Sequence, residues 1–145
     1  NMLNLAKIPL RSAERGDSLD IPVIVAGGPC ICNPEPLADF IDVFQIGEGE
    51  EMMLEFLDLL NEYKQNGKSR KEFLVAASKI EGIYVPALYK IEYNADGTIA
   101  GVAPMEGAPE KVKKRIVSDL DLISQNQASK NVGTSVYNGR RKIFH

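Results

Sequence analysis

Two stretches hold the residues whose types and spacing could do chemistry: VIVAGGPCICNPEP over residues 23–36 and GEGEE over residues 47–51. In the first, Cys30 and Cys32 stand one residue apart and could ligate a metal or act as reactive thiols. A structural zinc site takes four Cys or His ligands, and the sequence has two cysteines and one histidine, His145. A Cys-x-Cys pair alone leaves a metal underbound, so both cysteines read more simply as small, partly buried residues. The histidine closes the sequence, where a catalytic group is poorly held, which discounts Ser-His-Asp and Cys-His chemistry. In the second stretch, Glu48, Glu50 and Glu51 could serve as acid, base or ligand, yet carboxylates at a helix start commonly do no more than favour its dipole. No catalytic residue and no metal set is expected.

The glycines are the stronger signal. Gly27, Gly28, Gly47 and Gly49 sit where strands should end, and glycine there lets ligand atoms approach the backbone. Two readings stand. Either these loops offer amide hydrogens to a phosphate or carbonyl oxygens to a hydroxyl or amide, or they are tight turns that need glycine whatever binds. No GxGxxG follows the first strand, and the lysine and hydroxyl pair of a P-loop is missing.

The elements that must position these loops can be read from periodicity. IPVIVA, residues 21–26, is a continuous apolar, β-branched run, the pattern of a strand covered on both faces in a parallel sheet. Asn33 should cap a short helix with Pro34, Glu35 and Pro36 in its first turn and Leu37, Phe40 and Ile41 on one face. VFQIG, residues 43–47, reads as a second strand, and a right-handed crossover would open both glycine loops on one sheet edge. A long helix is expected from about residue 50 to 65, with Met53, Phe56, Leu57, Leu60 and Tyr63 as its buried stripe. Ser69 and Glu72 have capping-box spacing for another helix, which Gly82 stops. Residues 83–105 alternate around Asp96-Gly97, predicting an antiparallel hairpin. KVKKRIV could add a strand, and without interleaved aromatics Lys111, Lys113, Lys114 and Arg115 read as guards of an edge rather than a nucleic-acid interface.

With 145 residues, 44% hydrophobic and 26% charged, the sequence suits one α/β domain over residues 1–121 with a polar, aperiodic, flexible tail over 122–145. No apolar run approaches the ~18 residues that span a bilayer. The net charge of −3, the two cysteines and the lack of a secretory pattern point to a cytoplasmic protein with no general affinity for polyanions. Opening on Asn1 and at once amphipathic, the sequence reads as part of something longer.

The order of motifs also resembles a known family. Gly27-Gly28-Pro29, Asn33-Pro34-Glu35-Pro36, Asp39, Asp42, Gly47-Glu48-Gly49-Glu50-Glu51, IEGIYVPALY and RIVSDLD together are similar to the cobalamin-binding-type N-terminal region of radical S-adenosylmethionine (SAM) proteins. Ile8-Pro9-Leu10 and Glu14-Arg15 match an uncharacterised branch, and the resemblance covers about residues 5–121. It implies a Rossmann-like or flavodoxin-like partial parallel sheet flanked by helices. It also implies that Gly27, Gly28, Gly47, Glu48 and Gly49, with Pro29 shaping the first loop, lie along the nucleotide tail of a cobalamin. The implied partner is the rest of a parent enzyme, whose CxxxCxxC barrel holds an iron-sulfur cluster and S-adenosylmethionine for methyl transfer or other radical chemistry. Neither that loop nor a DxHxxG segment occurs here. The expected role is therefore a non-catalytic cofactor-binding or accessory domain. The first alternative is the cluster-binding N-terminal domain of radical methylthiotransferases, which this region also resembles and which would employ Cys30. The second is a ligand-free flavodoxin-like interaction module.

Overall fold

The computed structural model describes residues 2–105 and 107–116, so the boundary at residue 121 and the tail lie outside the described residues. The side chains of Cys30 and Cys32 lie outside them too. After a single helical turn α1 (Met2–Leu5), the chain builds a three-stranded mixed sheet from β1 (Val25–Gly27), β2 (Val43–Gln45) and β3 (Ile83–Tyr84), in that spatial order. β1 and β2 are parallel, with Val25 opposite Val43 and Gly27 opposite Gln45. β3 runs antiparallel to β2, with Phe44 opposite Tyr84. Helices α2 (Gly49–Gln65) and α3 (Arg70–Ala77) and a separate two-stranded antiparallel sheet, β4 (Tyr89–Tyr93) with β5 (Ile99–Pro104), complete the α/β fold.

β2 is the strand buried on both faces. Val43 packs with Met52, Phe56, Phe73, Ala77, Ile83 and Val85, whereas Phe44 turns the other way toward Ile31 and Tyr84. β1 is shorter than the apolar run predicts, because the carbonyls of Ile21 and Pro22 accept hydrogen bonds from Arg70 instead of joining a ladder.

The crossover departs from expectation as well. No α-helix follows Asn33; the connection consists of 3-10 turns at Pro29–Cys32 and Glu35–Leu37. Pro29, Pro34 and Pro36 lack amide hydrogens, and the turns are closed mainly by short i to i+3 bonds such as Leu37 N to Pro34 O at 3.0 Å and Ala38 N to Glu35 O at 3.1 Å. Leu37 is consequently exposed.

α2 spans nearly the predicted residues, and of its predicted stripe Phe56 is buried with Leu60 and Tyr63 packed beside it, whereas Met53 and Leu57 are exposed and Met52 and Leu59 turn inward instead, a small rotation of the buried face. The edge-on stacking of Phe56 and Phe73, with ring centroids 5.4 Å apart, sets this rotation against α3. α3 begins with the expected capping box: Ser69 Oγ accepts from Glu72 N at 3.1 Å and Glu72 Oε2 accepts from Ser69 N at 3.0 Å.

The predicted hairpin begins six residues late, at Tyr89 rather than residue 83. Ile83 and Tyr84 belong to the first sheet, and Pro86, which has no amide hydrogen to donate, opens a 3-10 turn between the two sheets. The Asp96-Gly97 turn forms as read, with Gly97 at φ +83° and Asp96 Oδ1 accepting from Thr98 N at 2.9 Å. Beyond it, residues 111–116 form no strand; Arg115 alone makes a parallel bridge to Gly47.

Candidate functional site

A carboxylate and two guanidiniums lie at the centre of the region. Asp42 (4% exposed) directly precedes β2 and meets Arg15 (0%) and Arg70 (3%). Its Oδ2 is 2.7 Å from Arg70 Nη2 and 2.8 Å from Arg15 Nη1, and it also accepts from Ile24 N at 2.7 Å. The Arg15 Nη1 contact is ionic by distance but lacks hydrogen-bond alignment, so this nitrogen is the buried side-chain atom left without a hydrogen bond among the described residues. The other guanidinium groups donate to main-chain carbonyls: Arg15 to Pro9, Leu10 and Phe40, Arg70 to Ile21 and Pro22. Residues 9–22, which have no strand of their own, are thereby stapled to β2 and α3. In such a cluster the charges tie distant segments together, and each depends on the others to offset its desolvation. Arg15 and Asp42 stand in the motifs singled out above; Arg70 was missed. A cation in the first turn of a helix opposes the dipole, and that misplaced charge was the available signal.

The predicted glycine loops do open on one edge of the sheet, since β1 and β2 are adjacent and parallel. They differ in what fills them. A Cβ on Gly47, at φ +117°, would collide with the main chain of Arg115. Arg115 N donates to Ile46 O at 3.0 Å and Glu48 N donates to Arg115 O at 3.1 Å. The Arg115 guanidinium reaches Glu51 Oε2 at 2.9 Å and Glu55 Oε1 at 2.7 Å on α2; these two carboxylates push its pKa still higher. Three of the GEGEE positions, Gly47, Glu48 and Glu51, therefore serve the protein's own chain. At the other loop, among the described residues, Gly28 has φ +112° and nothing within 4 Å of where a Cβ would stand, and Gly27 meets only Gln45, at 3.6 Å. Gly27, Gly28 and Pro29 are exposed. Gly49 likewise meets only Gln45, at 3.9 Å. Gln45 Nε2 lies 3.8 Å from Met53 Sδ, so the open loop adjoins the exposed apolar residues of α2.

A cavity lies elsewhere. About 540 Å3 in volume, it is lined by Glu35, Asp39, Asp42, Arg70, Leu88 and Tyr89 among others, and by none of the six glycine-loop residues. Asp42 precedes β2 and Pro86 follows antiparallel β3, which places the cavity where the parallel strands begin, opposite the glycine edge. Beside it Tyr84 donates to Glu35 Oε1 at 2.5 Å. Burial first, and then this carboxylate, push the Tyr84 hydroxyl far above its ordinary pKa. Among the described residues no group of three or more His, Cys, Asp or Glu could hold a metal ion, and no helix is long and apolar enough to cross a membrane.

The described residues thus form a small mixed α/β sheet whose amino-terminal approach is stapled by buried ion pairs. Residues 1–86 match the family model described as radical SAM proteins, N-terminal, and the chain belongs to that family. Neither the curated proteins nor the solved structures provide a match. The match takes in both glycine loops, the Arg15, Asp42 and Arg70 cluster and the Tyr84–Glu35 pair.

Proposed function

We propose that this N-terminal region of a radical SAM protein is a non-catalytic accessory domain of the cobalamin type, in which Gly27, Gly28 and Pro29, with Gly49 beside them, meet one edge of the corrin cofactor. The observation that carries the reading is the open backbone at Gly28: a positive φ, no neighbour among the described residues within 4 Å of its Cβ position, and a strand end beside it. Support also comes from Met53 and Leu57, whose exposed side chains continue this edge with apolar surface suited to a large ring. Gly47 and Glu48, the other positions implied by the family resemblance, are engaged by Arg115 and take a structural part instead. When bound, cobalamin would supply a methyl carrier to the parent; this chain's residues would hold and orient it. The iron-sulfur cluster and S-adenosylmethionine of such a parent require a CxxxCxxC loop that this sequence does not contain.

Titration with hydroxocobalamin tests the reading. A change in the visible spectrum and co-elution on a sizing column are expected, both weakened in a Met53→Glu variant, whose altered side chain is on the surface. An unchanged spectrum with no co-elution would end the cobalamin assignment.

A further inference from the structure

We propose that residues 113–116 are a displaceable strap, latched by Arg115, that covers the GEGEE half of the glycine edge and uncovers it on release.

The closed position is built for one residue. Ile46 N donates to Gly82 O at 2.7 Å, and Arg115 then takes the next rung: its N donates to Ile46 O at 3.0 Å and its O accepts from Glu48 N at 3.1 Å. Two glycines make the room. Gly47, at φ +117°, and Gly82, at φ +89°, would each drive a Cβ into Arg115, that of Gly82 to 2.9 Å from the Arg115 Cβ. Such a slot specifies where Arg115 sits; how firmly it is held depends on the contacts around it.

Those contacts are few. The chain is tied to the core as far as Val112, which packs beside Ile31, Phe44 and Tyr84, and the Tyr89 hydroxyl donates to Pro109 O at 2.8 Å. Beyond Val112, every hydrogen bond and ion pair of residues 113–116 among the described residues is made by Arg115. Lys113, Lys114 and Ile116 are exposed. The latch itself is the guanidinium on Glu51 and Glu55, whose side chains are 45% and 46% exposed, where water and salt screen an ion pair. A segment with so little buried contact opens more readily than the core beside it. Opening frees the Glu48 amide, the Ile46 carbonyl and the Gly47 backbone on the edge that also carries Gly27 and Gly28. The edge thus has a half-covered and an open state, whether or not it holds a corrin.

Amide hydrogen exchange of the full chain, with no ligand added, tests the strap at about 0.02 M and about 0.5 M salt. After correction for intrinsic rates, the Glu48 and Arg115 amides should exchange at least about tenfold faster than those of Phe73 and Ser78 in and after α3, and several-fold faster again at high salt. Glu51→Gln combined with Glu55→Gln, both on the surface, should already exchange fast at low salt and lose the response to salt. Exchange of Glu48 and Arg115 in step with Phe73 and Ser78 would mean that the strap leaves only on global unfolding and would overturn the proposal. So would an equal salt response in the double variant, because the latch would then lie elsewhere.

Discussion

Asp42 is the residue on which the most structure converges. Its carboxylate is shared by two buried guanidiniums and the amide of Ile24, so Asp42→Asn keeps the shape and removes the one anion that, among the described residues, contacts both cations. Removing one partner of a buried ion pair costs about 3–5 kcal/mol, and a loss of that size in urea unfolding is expected; a change below ~1 kcal/mol would refute the staple. Tyr84 predicts a pH dependence. Its folded-state pKa is raised by burial and by Glu35, while an unfolded tyrosine titrates near pH 10. Above about pH 10 the unfolded chain sheds a proton that the folded chain keeps, so stability is complete below that pH and falls as pH rises. Tyr89, raised by burial, acts in the same direction. Urea midpoints followed from about pH 9 to 11 should fall in the wild type and fall less in Tyr84→Phe; parallel curves would remove Tyr84 from the account.

At the level of elements, local chemistry governs ends and tertiary contact governs rotation and length. The capping box of α3 was legible because Ser69 and Glu72 act within four residues of sequence, and Ser69→Ala should cost about 1 kcal/mol in thermal or urea unfolding. In the stripe of α2, Phe56, Leu60 and Tyr63 were legible, but Met53 and Leu57 could not be told from Met52 and Leu59, which are equally apolar. Only packing against Phe73 and β2 decides which of them face inward. The link between the GEGEE loop and residues 113–116 was invisible for a related reason. Gly47 needs its positive φ and missing Cβ because Arg115, distant in sequence, passes against it. Gly47→Ala should strain that approach by roughly 1–3 kcal/mol, with faster hydrogen exchange at the Glu48 and Arg115 amides and no change at those of α3. Unaltered exchange at Glu48 and Arg115 would show that the bridge does not depend on glycine.

At the level of the whole molecule, the family match ends at residue 86 but the core does not: Leu88 is buried in it, and Tyr89 and Ala108 pack against it. A chain cut after Pro86 should bind a dye for exposed apolar surface and lose the cooperative melt of the full chain; an unaltered melt would mean that the hairpin is an appendage. The sequence by itself determined the α/β class, two neighbouring strands, read at residues 21–26 and 43–47 and formed at 25–27 and 43–45, both larger helices, the capping box and the Asp96-Gly97 turn. Each of these follows from periodicity or from side chains acting on nearby backbone. Folding decided the rest. Tertiary structure placed Ile83 and Tyr84 in the first sheet, gathered Arg15, Asp42 and Arg70, gave half of the glycine edge to Arg115, and opened a cavity at the other end of the strands. The physical reason is sequence separation: bonds such as Arg70 to Asp42 join residues 28 positions apart, and neither local propensity nor hydrophobic period encodes which distant charge a buried carboxylate will meet.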